Sequence, residues 1–147
     1  FGFKKIVIYN WHGENASYVW EAAWQATDRG KETKTKLQIF THGVDAFSDE
    51  ILNKAFGNDF PGWNRDHAGI LETSMMMYLR PEYVDETKFK DEISEEYPWY
   101  EELPIRQAVI TKSGSLWKES YSTAELGKLF YDYIVEETVK ALKECKE

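Results

Sequence analysis

The sequence predicts an α/β fold in which a largely parallel central sheet is flanked by helices. Two short β-branched runs, Lys4–Asn10 and Leu37–Thr41, are separated by an amphipathic stretch, Asn15–Arg29, and by a polar turn, Gly30–Lys34. A strand, a crossover helix and a second strand in this order form a βαβ unit, whose two strands pair in parallel. Their apolar, β-branched character is typical of buried parallel strands.

Two further elements are predicted downstream of this unit, followed by a short strand. Ser48 is a preferred capping residue for a short helix that ends near Phe56. His67–Leu79 has apolar residues around most of its circumference, which indicates a buried helix that ends before Pro81. The short apolar run Gln107–Ile110 predicts a brief strand.

The rest of the chain contains an acidic, aromatic stretch and a long helix. Asp85–Pro104 is predicted to be a surface excursion or an oligomer contact. Ser122–Glu125 matches a capping box, which predicts the start of a C-terminal helix. The packed stripe of this helix consists of Leu126, Phe130, Ile134 and Ala141.

Composition limits the class of protein. The 147 residues are 42% hydrophobic, enough for one core, so 1–147 is predicted to be a single domain. The chain starts at Phe1 and enters a strand almost at once, which predicts a piece of a longer α/β domain. A formal charge of −8 argues against binding to nucleic acid phosphates. No apolar run approaches the roughly 20 residues that span a membrane, and the lone Cys145 fits a reducing cytoplasm.

The loop after the first strand is the first candidate site. His12 and Glu14 lie just past the carboxyl end of a strand, where open α/β sheets place their ligand sites. Imidazole nitrogens and carboxylate oxygens both bind zinc or manganese, and Gly13 lets the backbone turn so that the two side chains converge. The alternative is a polar loop in which His12 hydrogen-bonds to backbone and Glu14 caps the following helix.

Asp66 and His67 form the second candidate site, at the start of the predicted buried helix. Asp66 can orient His67, whose imidazole can shuttle a proton at neutral pH, and Trp63 can stack on a planar ligand. The alternative makes Asp66 a helix N-cap, His67 a first-turn residue and Trp63 part of the core.

Three other features have weaker functional interpretations. Glu72 can support His67 or a metal ligand, or it can be a surface carboxylate. His42, at the end of the second strand, can reach the same cleft or be an ordinary hydrogen-bonded polar residue. Core filling explains the consecutive methionines Met75–Met77.

Taken in order, the two candidate loops resemble motifs of the creatininase (creatinine amidohydrolase) family. Its members carry N-G-H-x-E/G-N and then G-W-x-x-E/D-H-[AG]-G-x-x-E-T-S, and this chain has NWHGEN at 10–15 and GWNRDHAGILETS at 62–74. The resemblance extends from Phe1 to about Asp85 and is weaker beyond. It implies a creatininase-like fold, of which this chain would be the C-terminal part, and assembly into a homo-oligomer, often a hexamer.

The resemblance also implies an activity, that of a metal-dependent amidohydrolase with a two-metal site for zinc or manganese. His12 and Glu14 match metal ligands, one for each ion. The implied reaction is attack of a metal-bound hydroxide on a small cyclic or linear amide, which breaks its C–N bond.

Residues of the second motif have implied roles as well. On the matching positions, His67, supported by Asp66, would be the acid-base group that protonates the leaving nitrogen. Trp63 would line the substrate pocket, and Glu72 would support the site from behind.

The chain departs from creatinine-hydrolysing members of the family at several positions. Gly13 stands where those members have Tyr, Asp66 stands in place of Glu, and the strand end His42–Val44 lacks an aromatic residue that they have. The substrate is therefore open. An alternative is hydrolysis of an oxidised inositol ring, with Gly13 making room for its hydroxyls in the substrate-binding pocket.

Family members carry further metal ligands in an upstream half that this chain lacks. Two ligands do not hold a two-metal centre, so the expected partners are a small-molecule substrate and either other copies or a chain that carries the missing N-terminal half. A non-catalytic fragment that needs a partner chain is the remaining alternative. The enzyme hypothesis depends on His12, Glu14 and His67 meeting at one edge of the sheet.

Overall fold

A computed structural model describes residues 2–29, 35–95, 98–100 and 102–145. The chain divides into two compact units, one formed by 1–46 with 134–147 and the other by 47–133. The predicted turn Gly30–Lys34 lies outside the described residues.

The first unit contains the predicted βαβ arrangement. Strand β1 (Lys5–Tyr9) is followed by helix α1 (Ala16–Arg29) and strand β2 (Lys36–Phe40). The strands pair in parallel, with Ile6 opposite Leu37 and Ile8 opposite Ile39. Within the described residues the sheet has these two strands, so the parallel pairing is confirmed while the larger central sheet stays a prediction.

The C-terminal end of the last helix, α4 (Ala124–Glu144), packs beside this sheet. Gln38 on β2 donates a side-chain hydrogen bond to the carbonyl of Ala141 at 2.9 Å. Lys5 on β1 donates to the carbonyl of Cys145 at 3.1 Å. Both bonds are accepted by carbonyl groups at the end of the helix, where backbone partners run out; the carbonyl of Ala141 also accepts from the N–H of Cys145 at 3.3 Å.

The second unit is built around helices α2 (Asp49–Phe56), α3 (Ile70–Leu79) and the first part of α4. Phe130 on α4 is completely buried, and its ring meets Phe47 edge-on at 5.4 Å between centroids. Phe56 packs on the same ring at 6.3 Å. Phe130, one residue of the stripe predicted for α4, is therefore part of an aromatic core.

The element boundaries differ from the predictions in three places. Gln107–Val109 is a 3-10 turn, so the predicted strand Gln107–Ile110 is wrong. Helix α3 begins at Ile70, three residues after the predicted start. The cap of α4 is Thr123, whose hydroxyl accepts a hydrogen bond from the backbone N–H of Leu126. The capping box predicted from Ser122 to Glu125 is therefore wrong, since the residue three positions after this cap is Leu126.

The acidic, aromatic stretch lies on the surface in its described part. Trp99 is 95% exposed and Leu103 is 86% exposed. Asp91 accepts hydrogen bonds from the backbone and hydroxyl of Ser120, and Glu92 accepts one from the backbone of Ser113. The surface excursion is thus confirmed for these residues, and an oligomer contact stays a prediction. No helix in the described ranges is long and apolar enough to cross a membrane.

Candidate active site

The loop after β1 presents both predicted metal ligands on the surface of the first unit. His12 caps a short 3-10 turn, Gly13–Asn15, and its backbone carbonyl accepts a hydrogen bond from the N–H of Asn15. The side chains of His12 and Glu14 are exposed. This turn leads directly into α1, so the loop lies between the carboxyl end of a strand and the start of a helix, as predicted.

Asn10 fixes the position of this loop. Its buried side-chain amide donates to the carbonyl of His12 at 2.8 Å and to the carbonyl of Thr41 at 2.6 Å. A single side chain thus joins the loop after β1 to the loop after β2. The sequence analysis did not identify this role, because the partner in the second loop is 31 residues away along the chain.

In the second unit, both carboxylate oxygens of Asp66 accept backbone hydrogen bonds at the start of α3. Oδ1 accepts from the N–H of Ile70 at 2.8 Å, and Oδ2 accepts from the N–H of Leu71 at 3.0 Å. These contacts are those of a helix cap, which was the alternative interpretation of Asp66. Burial raises the pKa of Asp66 to about 7, although the two backbone hydrogen bonds oppose this rise.

We expect Asp66 to make folding stability depend on pH. Its folded-state pKa of about 7 lies above its ordinary value of 3.8, so the folded protein retains a proton that the unfolded chain releases. The protonated form therefore contributes up to about 4 kcal/mol to the free energy of unfolding. This contribution is fully present below about pH 4, falls as pH rises and is lost above about pH 7. Urea unfolding from pH 4 to pH 8 should show this fall, and Asp66→Asn should flatten it.

Asp49→Asn is the matched control for this experiment, because it removes one formal charge from the exposed first turn of another helix, α2. Its unfolding curves should keep the wild-type dependence on pH. The same slope in Asp66→Asn as in the wild type would show that Asp66 does not retain a proton on folding.

His67 projects into solvent from a backbone held on both sides. Its side chain is 55% exposed, and Nδ1 lies 3.9 Å from Oε2 of Glu72. Its carbonyl accepts a hydrogen bond from the N–H of Leu116 at 2.9 Å. A carboxylate near the imidazole, among the described residues, is that of Glu72, which agrees with the supporting role considered for this residue.

Ala68, the next residue, has a φ of 48°, a left-handed conformation that residues other than glycine seldom adopt. Three side chains hold it. Glu72 Oε2 accepts from its N–H at 2.6 Å, while Thr73 and Ser115 donate to its carbonyl at 3.0 and 3.1 Å. Such strain persists only where the surrounding structure enforces it, and it is concentrated at functional sites.

The sequence analysis missed the segment that supports Ala68 from the far side. The single hydroxyl hydrogen of Ser115 is shared between the carbonyl of Ala68 and Oε2 of buried Glu119, which lies 2.8 Å from Oγ, and the other oxygen of Glu119 accepts from the backbone N–H of Lys90 at 2.7 Å. Neither residue stands in a recognisable motif. Ser115 and Ala68 are 47 residues apart along the chain and come together only in the folded protein.

Trp63 packs against aromatic rings in the second unit, and core filling, predicted for all three methionines, is wrong for Met76. Trp63 is half-buried and lies 4.7 Å from Phe60 and 5.8 Å from Phe47, measured between ring centroids. Met75 and Met77 are half-buried on α3, whereas Met76 is exposed. Met76 also lines a cavity of about 300 Å³ bordered by Glu72 and Ala68. Contact of Trp63 with a substrate stays a prediction.

The predicted site residues divide between the two units. His12, Gly13 and Glu14 lie in the first unit, while Trp63, Asp66, His67 and Glu72 lie in the second. The convergence of His12 with Glu14 and the support of His67 by Asp66 stay predictions. Among the described residues, no group of three or more His, Cys, Asp or Glu side chains is arranged to hold a metal ion. The meeting of all three key side chains at one sheet edge stays a prediction.

Comparison with known proteins gives a consistent result. The family model described as Creatininase, creatinine amidohydrolase, matches residues 1–142. A creatinine amidohydrolase of Pseudomonas putida is 24% identical over 146 residues, which are 97% of this chain and 56% of that protein. This chain therefore spans a little over half the length of that relative.

Two solved structures have the same fold. A mutant creatininase described as Zn-Zn type matches with a TM-score of 0.88 and 24% identity, over 97% of this chain and 57% of that one. A structure named Creatininase Mn matches with a TM-score of 0.83 and 24% identity, over 96% of this chain and 56% of that one.

Proposed function

Because the chain belongs to the creatininase family, we propose that it is the C-terminal part of a metal-dependent amidohydrolase that cleaves the C–N bond of a small cyclic or linear amide. The observation that carries this proposal is the state of His67. Its imidazole is exposed, a carboxylate lies 3.9 Å from Nδ1, and the following residue is held in a left-handed conformation by three side chains. A strained backbone held this firmly beside an exposed imidazole is typical of a functional site.

His12 and Glu14 are the proposed metal ligands of this chain. One nitrogen donor and one carboxylate, both exposed on a loop fixed by Asn10, are suited to zinc or manganese. Relatives are described in Zn-Zn and Mn forms, which supports the same two metals here. When bound, divalent cations lower the pKa of water and stabilise negative charge on the carbonyl oxygen.

His67 is the proposed proton donor to the leaving nitrogen. Proton transfer by a positioned imidazole is efficient near neutral pH. Glu72 holds Ala68 and places a carboxylate oxygen 3.9 Å from the imidazole, while Asp66 fixes the first turn of α3. Trp63 and Gly13 are the proposed substrate-contacting positions in the two loops.

The remaining ligands come from outside this chain in the proposed enzyme. Zinc sites need three or four protein ligands, and the first loop supplies two. We propose that other copies in a homo-oligomer, such as a hexamer, or a chain equivalent to the missing part of the relatives, complete the site. The coverage of 56% of the Pseudomonas putida protein supports this partner.

The test of the proposed function is metal content and hydrolysis in the assembled enzyme. After chelation, manganese or zinc should restore hydrolysis of at least one member of a panel that contains creatinine, simple formamides and an oxidised inositol. Glu14→Gln should lower manganese affinity at least tenfold, because it replaces a charged ligand by a neutral one.

Glu21→Gln is the matched control, since Glu21 is an exposed carboxylate on α1, seven residues further along the chain. It should leave manganese affinity unchanged. Equal affinities in the two variants, or hydrolysis that survives complete removal of metal, would contradict the proposal.

A further inference from the structure

The loops that follow β1 and β2 interlock through two glycines. A Cβ atom on Gly43 would lie 2.5 Å from Cε3 of Trp11, and one on Gly13 would lie 3.3 Å from Nε2 of His42. Each loop therefore has a glycine where the other loop places an aromatic ring. Because the ring of His42 occupies the space next to Gly13, its edge lies one residue from both proposed metal ligands.

The orientation of the His42 ring is set by a neighbouring carboxylate. Nδ1 lies 3.2 Å from Oδ1 of Asp45. A carboxylate accepts hydrogen bonds, so Nδ1–H is the donor and the lone pair of the neutral ring stays on Nε2. Nε2 is also the ring atom nearest to Gly13.

The ring is also held in place by its own loop. The N–H of Gly43 donates to the carbonyl of Asn10 at 3.2 Å, and the N–H of Asp45 donates to the carbonyl of His42 at 3.1 Å. Gly43 is buried beneath Trp11, yet the side chain of His42 remains 29% exposed. Among the described residues, no hydrogen-bond partner for Nε2 is found. A hydrogen-bond acceptor of fixed orientation therefore lies beside the candidate metal loop, on a ring that is partly exposed.

We propose that His42 is a further substrate-contacting residue, whose Nε2 accepts a hydrogen bond from an N–H of the amide substrate beside the candidate metal loop. The inference rests on the proposed function and narrows its substrate class. Primary and secondary amides carry the required N–H, whereas tertiary amides do not. Asp45 is a positioning residue that acts through His42.

The test compares His42→Asn with His42→Gln in the manganese-loaded assembled enzyme. The amide of Asn superimposes on the Nδ1 side of the ring and keeps a partner for Asp45, whereas the amide of Gln reaches the position of Nε2. Kinetics are measured with a matched series of primary, secondary and tertiary amides. Manganese affinity and melting temperature are measured on the same samples.

We expect His42→Asn to raise KM for primary and secondary amides roughly tenfold, as expected for one lost hydrogen bond, and to leave tertiary amides unaffected. His42→Gln should restore most of the loss. Gly13→Ala, whose new methyl group must displace the ring, should resemble His42→Asn. Manganese affinity and melting temperature should match the wild type in both His42 variants.

Several outcomes would overturn the inference while leaving the proposed function intact. Unchanged KM values in His42→Asn would exclude a substrate contact. A loss of manganese affinity would make His42 a metal ligand, and an equal fall in melting temperature in both His42 variants would make its role structural. If the wild type hydrolyses no amide in the series with metal bound, the proposed function fails and the inference fails with it.

Discussion

Replacing Gly127 with alanine is expected to destabilise the 47–133 unit severely. A Cβ atom at this position would lie 1.9 Å from the carbonyl oxygen of Ser74 and 2.8 Å from Cβ of Tyr78. Ser74 lies within α3 and is fully buried. The contact is therefore between helix backbones, which cannot be relieved by a change of rotamer, so α3 and α4 must move apart.

The expected loss is about 3 kcal/mol in the free energy of unfolding, at the upper end of overpacking effects. Replacing glycine with alanine inside a helix ordinarily stabilises the protein, by about 1 kcal/mol. The change expected here has the opposite sign. Urea unfolding followed by circular dichroism measures the difference.

Glu125→Ala, on the exposed side of the same helix, is the control and should change stability by less than about 0.5 kcal/mol. If Gly127→Ala proved as stable as this control, the close approach of the two helices would be wrong.

Removing the imidazole of His67 should have the largest effect on turnover. For His67→Ala we expect kcat to fall by roughly 10² to 10⁴, the usual contribution of a positioned acid-base group. Manganese content and KM should change little, because the side chain is proposed to act on the leaving nitrogen and not on binding. Steady-state kinetics with the manganese-loaded assembled enzyme measures the loss.

An anilide substrate distinguishes proton donation from a structural role. Its weakly basic leaving group departs with less protonation, so most of the deficit of His67→Ala should disappear with this substrate. Asn64→Ala, an exposed neighbour in the same loop, should behave as the wild type with both substrates. An equal deficit for both substrates in His67→Ala would show that His67 does not donate the proton.

The first unit followed from the sequence because its signals are local. β-branched runs alternate with an amphipathic stretch, and this order allows parallel pairing of β1 and β2. The run Gln107–Ile110 has the same composition over fewer residues. No strand in the described residues pairs with it, and a run of this length has no backbone preference strong enough to compensate.

The positions of the two motifs in the fold followed from the sequence for the same reason, because each motif lies beside a recognisable strand or helix. The roles of their residues stay predictions. The residues that hold the two motifs in place could not be predicted. Asn10 bonds across 31 residues, and Ser115 reaches Ala68 across 47. Long-range contacts of this kind leave no periodic pattern in the chain.

The hydrogen bonds of Asn10 limit how this protein can diversify. Its amide fastens the ends of two consecutive strands to each other, and the rings of Trp11 and His42 fill complementary gaps. An insertion in either loop would break both attachments at once. New substrate preferences are therefore expected to arise by paired substitutions, in which one loop gains an aromatic residue where the facing loop gains a glycine. The lengths of the two loops should stay the same.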